Sequence, residues 1–160
     1  MTNRNSSGAF ATIPVAFAEK VTERLDGSAV TVDATNKSEA MVVYICNVMT
    51  QPGETDDFNA LDHVKTILDK TGLNKLDTVI VNSRRAAKNL MSKYEAKNQY
   101  WVPPTVKKIE ELGIRVVAAD LLSESDLLRH NPNTLANIIA NLVIEKKNTD
   151  TDINELSNEE

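Results

Sequence analysis

The segment Val42-Val43-Tyr44-Ile45-Cys46-Asn47-Val48-Met49-Thr50-Gln51-Pro52-Gly53-Glu54-Thr55 decides how the rest of the chain is read. It begins as an apolar, largely β-branched run, turns polar within a few residues, and leads into a helical pattern. Met41 to Val48 is nearly continuous in its apolarity, which predicts a strand covered on both faces. Pro52-Gly53 predicts a type II bend, with glycine taking the positive φ. A buried strand running into a polar turn and then a helix is the start of a βα unit. In open α/β sheets that junction, at the carboxyl end of a strand, is where ligands bind.

The same alternation continues downstream. Ala60, Leu61, Val64, Ile67 and Leu68 form one helical stripe, with Gly72 placed to end it. Thr78 to Val81 is a second β-branched strand. Ala87, Leu90, Met91 and Tyr94 share a second helical face. Trp101-Val102 reads as a strand stub stopped by Pro103-Pro104. Val106, Ile109 and Leu112 mark a short helix ending at Gly113, and Ile114 to Ala119 is a third strand. Asn131-Pro132 is an N-cap followed by proline at the first helical position, opening a last helix through Leu135, Ile138, Ile139, Leu142 and Val143. Upstream, Ile13, Phe17, Val21 and Leu25 repeat every four residues as a helix; Ala29 to Val32 reads as a short strand, and Asp33 to Ala40 as a polar connection. Strands alternating with helices predict an α/β fold, a mostly parallel sheet with helices on both faces.

The chain has 160 residues, enough for one domain. Residues 9–147 are expected to form it, flanked by disordered segments, Met1 to Gly8 and an acidic tail from Asn148 to Glu160. The net charge is −5, and the tail holds five acids and no base, so the body is near neutral. A near-neutral body lacks the basic face of a nucleic-acid binder. Aromatic residues make up 4%, too few for a row of base-stacking platforms. Cys46 is alone inside an apolar run, and no secretory pattern opens the chain; both predict a cytoplasmic setting. No apolar run approaches a membrane span.

The polar positions after the first strand admit two readings. Asn47, Thr50, Gln51 and Thr55 either grip a ligand or stabilise their own turn. Glu54, Asp56 and Asp57 crowd the expected start of the next helix, where Thr55 would cap it and the acids would complement its dipole. They could instead hold Mg²⁺ against ligand phosphates. Asp62 and His63 either face solvent or back the loop from one turn away. Arg84-Arg85, after the second strand, are expected as exposed charges in a helix's first turn. Arg129, beside His130 and the last helix's start, either pairs with a neighbouring acid such as Asp126 or holds a phosphate. Tyr94 is a half-buried core tyrosine or a stacking platform. No G-x-G-x-x-G or Walker A loop, zinc-ligand spacing or nucleophile elbow is present.

The run from Val43 to Asp56, with its Met49-Thr50-Gln51-Pro52-Gly53-Glu54-Thr55 string, resembles the signature of the bacterial gluconeogenesis-factor family, related to 2-phospho-L-lactate transferase. The similarity continues through Asp62-His63-Val64-Lys65, Asp77 to Asn82, Lys93-Tyr94, Ala119 to Leu122 and Leu128-Arg129-His130-Asn131, about residues 42–143 in all. The resemblance is to the carboxyl-terminal half of such proteins, since their amino-terminal glycine-rich phosphate turn is not matched. It implies a Rossmann-like fold and a cytoplasmic regulator of carbon metabolism and cell shape. It also implies binding of a nucleotide sugar of the UDP-N-acetylglucosamine type and self-association into a homo-oligomer, with neither nucleic acid nor membrane as a partner. Tyr94 and Arg129 match the family's nucleotide-sugar residues, and Asn47, Thr50 and Gln51 fall on its cleft-facing loop. The enzymatic alternative is a 2-phospho-L-lactate transferase-like reaction with Mg²⁺ near Glu54, Asp56 or Asp57. The other is a fragment that only pairs with further chains.

Overall fold

A computed structural model describes residues 32–123 and 128–156. The helix expected over Ile13 to Leu25, the amino-terminal segment 1–8 and most of the strand expected from Ala29 lie outside these residues. The elements are β1 (Val43–Ile45), α1 (Ala60–Thr71), β2 (Thr78–Asn82), α2 (Lys88–Glu95), α3 (Val106–Glu110), β3 (Arg115–Ala119) and α4 (Pro132–Leu156). The three strands form one parallel sheet in the order β1-β2-β3, with Val43 beside Thr78 and Thr78 beside Arg115.

Side-chain alternation sorts the core into two layers, as a pleated strand requires. Tyr44, Cys46, Val79 and Val81 point to one face and pack with Val64 and Ile67 of α1 and Ile109 of α3. Val43, Ile80 and Val117 point to the other, where Leu142 and its neighbours on α4 cover them. β2 is buried at every position because it lies between two strands and two helical layers. Helices therefore flank a parallel sheet, the architecture read from the sequence.

Local signals place the helix ends. Gly72 and Gly113 take φ of 73° and 78°, the left-handed conformation that glycine adopts without a Cβ clash. Asn131 Oδ1 accepts the backbone N–H groups of Asn133 and Thr134, capping α4.

Other expectations are corrected. Regular pairing in β1 covers three residues, not the whole run from Met41 to Val48. Past Ile45 the chain leaves the sheet and pairs antiparallel with the Trp101 stub instead, through a Met49–Trp101 bridge. The connection after residue 31 is helical over 32–37. α1 is capped by Asn59, not Thr55: Asn59 Oδ1 accepts the N–H groups of Leu61 and Asp62, and Asp62 Oδ2 accepts that of Asn59 in return. α4 runs on to Leu156, well into the acidic segment expected to be disordered from Asn148. Among the described residues no helix is long and apolar enough to cross a membrane.

Cys46 and Tyr44 share the buried face under α1. Burial pushes the Cys46 thiol up to about 12 and the Tyr44 phenol well above its ordinary value. A thiol reacts as its thiolate. Cys46 is therefore expected to resist a thiol-reactive chromophore at pH 8 in the native protein and to react fully in denaturant; rapid native labelling would contradict this packing.

Candidate functional site

All three strands end at the same edge of the sheet, and the polar residues gather there. After β1 the chain passes through Asn47 into the bend. Glu54 and Thr55 donate their N–H groups to the Gln51 carbonyl at 3.1 and 3.0 Å, and Gly53 takes φ of 78°, the positive φ that a type II turn needs at this position. The Thr55 hydroxyl accepts the Gln51 N–H at 2.8 Å from a fully buried position. Its role is to close the bend from inside, which explains why it does not cap α1.

Thr50 is also structural. It is 1% exposed, its hydroxyl accepts the Tyr100 N–H at 2.8 Å, and its own N–H donates to the Tyr100 carbonyl at 2.7 Å. The expectation that Thr50 lines a cleft is corrected: it ties the bend to the stub at 100–102. Gln51 is half-buried, and its side-chain amide makes no hydrogen bond among the described residues. Asn47 is half-buried with its Nδ2 closed from solvent and unpartnered. The Gln51 amide remains able to meet a ligand, whereas the Asn47 Nδ2 is enclosed.

The acids are arranged differently from the sequence reading. Glu54, Asp56 and Asp57 lie in the bend before α1, whose first turn holds only Asp62. Asp56 Oδ2 accepts the Gly53 N–H at 2.8 Å, and Asp57 sits at φ of 60°. Among the described residues no three Asp, Glu, His or Cys side chains are grouped as a preformed protein-only cation site.

β2 delivers Asn82, a residue the sequence reading did not single out. It is 4% exposed at the end of the central strand. Its Oδ1 accepts the N–H groups of Leu121, at 3.1 Å, and Arg84, and its Nδ2 donates to the Arg84 carbonyl at 2.6 Å. One buried amide thus fastens the loops leaving β2 and β3. The available signal was an asparagine closing an otherwise apolar strand. Arg84 and Arg85 lie in this loop, not in the first turn of a helix, since α2 begins at Lys88. Arg84 Nε pairs with Asp120 Oδ2 at 2.7 Å, which holds the Asp120 carboxyl below its ordinary range. The Arg85 guanidinium lies over the Trp101 ring, 5.7 Å from its centroid.

The start of α4 completes the edge. The Asn131 N–H donates to the Leu121 carbonyl at 2.6 Å. His130 Nε2 meets the Cys46 carbonyl at 3.1 Å, and burial lowers this imidazole's pKa. Tyr94, from α2, is half-buried, and its hydroxyl accepts the Leu128 N–H at 2.9 Å. Arg129 follows at once and is exposed. Met49, Tyr94, Trp101, Leu122 and Leu128 belong to one apolar cluster. The bend, Tyr94 and the backbone leading into Arg129 are therefore neighbours. Asp126 lies outside the described residues, so the expected Arg129–Asp126 pairing lies there too.

His63 is a second surprise. It is fully buried, neither ring nitrogen has a hydrogen-bond partner, and Phe58 meets its ring edge-on at 5.3 Å. Burial lowers its pKa to about 4 despite the adjacent Asp62 carboxylate, so it is neutral at pH 7. It is neither a surface histidine nor open to a ligand.

Residues 30–122 match the family model described as 2-phospho-L-lactate transferase CofD. The chain belongs to the CofD/gluconeogenesis-factor family. It is 41% identical over 112 residues to a relative from Aquifex aeolicus, covering 69% of this chain and 34% of that protein. It is 34% identical over 110 residues to the gluconeogenesis factor of Bacillus subtilis, covering 68% and 35%. The crystal structure of a UPF0052 family member from Bacillus halodurans superposes with a TM-score of 0.65 at 34% identity, over 68% of this chain and 35% of that one. This CofD-family chain matches only about a third of the length of those relatives. The polar edge just described falls largely inside the matched region, with Arg129, His130 and Asn131 just beyond residue 122.

A cavity of about 330 Å³ lies at the opposite, amino edge of the sheet, lined by Lys75, Asp77, Thr78, Arg115 and Glu145 among others. Its charges serve the fold. Lys75 Nζ donates to the carbonyls of Ser38 and Ala40, Asp77 accepts the Val42 N–H, and Arg115 pairs with Glu145 at 2.6 Å.

Proposed function

We propose that this chain carries the nucleotide-sugar-binding edge of a gluconeogenesis-factor-type regulator, acting by binding and not by turnover. The ligand is a uridine diphosphate sugar of the UDP-N-acetylglucosamine type. Gln51 offers its amide to it, Asn47 lies at the strand end that leads into the loop and lines the cleft through its exposed part, Tyr94 flanks the base, and Arg129 pairs with the diphosphate beside the amino terminus of α4. The observation that carries this reading is the hydrogen bond from the Leu128 N–H to the Tyr94 hydroxyl. It joins the aromatic residue to the residue preceding Arg129, both packed in the cluster that contains Met49 of the bend.

Titration calorimetry with UDP-N-acetylglucosamine tests it. Removing a charge-assisted contact costs about 1.5–3 kcal/mol, so Arg129→Met is expected to weaken binding by roughly 10- to 100-fold. Tyr94→Ala, which removes both the ring and the Leu128 anchor, is expected to do at least as much. Unchanged affinity in both variants would refute the assignment of these residues.

A second reading follows from the family model's description as a transferase. Formation of a dinucleotide-like product from GTP and 2-phospho-L-lactate would establish it.

A further inference from the structure

Resting on the nucleotide reading above, we propose that His130 is the positioning residue of this edge: its Nε2–H, bonded to the Cys46 carbonyl, fixes the Arg129 segment against the loop that leaves β1. It acts through Arg129 and that loop, not by touching the ligand.

The bond forms where the sheet ladder stops. β1 and β2 pair in register as far as Ile45 and Ile80, and the Cys46 N–H still donates to the Ile80 carbonyl at 2.9 Å. The Cys46 carbonyl lies past the paired residues, in the peptide group that leads into Asn47. Cys46 is 1% exposed, and a buried carbonyl needs a donor. No strand supplies it. His130 Nε2 does, at 3.1 Å, from 84 positions along the chain.

The ring sits on a segment that is otherwise tied elsewhere. Ser123 donates its N–H to the Arg129 carbonyl at 3.0 Å, Asn131 donates its N–H to the Leu121 carbonyl at 2.6 Å, and His130 itself is bridged antiparallel to Leu122. Leu121 is held in turn by the Asn82 amide at the end of β2. These bonds fasten residues 129–131 to the ends of β2 and β3, and none of them reaches the loop after β1. Apolar packing of Met49 with Leu128 brings that loop close. Packing is not directional, whereas a hydrogen bond is. The imidazole therefore sets the spacing between the two segments that the nucleotide reading places around the ligand, the loop from Asn47 to Gln51 and the approach to α4.

The partner also fixes the chemistry of the ring. A carbonyl only accepts, so Nε2 carries the proton. Burial lowers the imidazole pKa, so the ring is neutral at pH 7 and Nδ1 is left without a proton. The position thus calls for an N–H donor at the reach of Nε2. A glutamine amide has that reach; an asparagine amide ends near the Nδ1 position, short of the Cys46 carbonyl.

The test combines ¹⁵N NMR of the imidazole in the whole chain with calorimetric titration of UDP-N-acetylglucosamine into the wild type, His130→Gln and His130→Asn. Expected are a neutral wild-type ring protonated at Nε2, an affinity lower by roughly 3- to 10-fold in His130→Asn, and most of that loss restored in His130→Gln. The Asn47 amide resonance, which shares its peptide group with the Cys46 carbonyl, is expected to move in His130→Asn and to return toward its wild-type position in His130→Gln. A ring that merely fills space would penalise both variants alike, so equal losses would overturn the proposal. A wild-type ring protonated at Nδ1 would overturn it too, whatever the variants' folding. Wild-type affinity in both variants would overturn it and leave the nucleotide reading standing. No binding of UDP-N-acetylglucosamine to the wild type would overturn both readings together.

Discussion

Lowering the pH from 7 to 4 is expected to remove about 3 kcal/mol of folding stability through His63 alone, with about 2 kcal/mol already lost by pH 5. The cause is burial. The imidazole has no hydrogen-bond partner and lies between α1 and Phe58, so charging it in place is unfavourable, and its pKa falls from the usual 6.5 to about 4. In the unfolded chain it takes up a proton near pH 6.5. The folded state binds fewer protons between those values, so the contribution is complete above about pH 6.5 and disappears as the pH falls through 4. His130, also lowered by burial, acts in the same direction. Urea unfolding at a series of pH values measures the slope, and His63→Phe should flatten most of it whatever its effect at pH 7. An identical slope in that variant would mean that His63 is not enclosed as described.

Removing the Asn82 side chain is expected to cost about 3 kcal/mol and to weaken nucleotide binding as well. Asn82→Ala strands the N–H of Leu121, which is completely buried, and deprives the Arg84 carbonyl of its 2.6 Å donor. Leaving a buried group without its partner costs about 1–3 kcal/mol each. The damage is local in origin, so it should also appear as faster hydrogen exchange at Leu121 and Arg84 while the amides of α1 stay protected. Because the same amide holds the loop bearing Arg85 and the turn into α4, ligand affinity should fall with it. A variant with wild-type stability and exchange would remove Asn82 as the fastener of the strand ends.

How much of this was legible in the sequence depended on how far away each residue's partner lies. Gly72, Gly113, the Pro52-Gly53 bend and the Asn131-Pro132 cap were readable because their geometry is settled within four residues. Thr50 was not, because its partner is Tyr100, fifty positions on. Thr55 looked like a cap because threonine often is one; the competing bond to the Gln51 N–H and the true capping box at Asn59 and Asp62 were better satisfied. His63 was misread by its polarity alone, although it falls in the stripe of Ala60, Val64 and Ile67, which is the signal that could have found it. The acidic composition after Asn148 concealed a helix that continues from an apolar start. Tyr94 and Arg129 were reached through family resemblance, since no local pattern predicts that Tyr94 will bond the backbone at Leu128. Asn82 escaped notice because its role exists only once the ends of β2 and β3 are brought together.

The most direct test of the central claim, that the carboxyl edge of this sheet receives a nucleotide sugar, is amide-resolved NMR during titration with UDP-N-acetylglucosamine. The account predicts saturable shifts at Asn47 to Gly53, at Tyr94 and at Leu128 to Asn131, with little change at the amino-edge cavity around Lys75, Asp77 and Glu145. Shifts confined to that cavity, or none at saturating ligand, would contradict it.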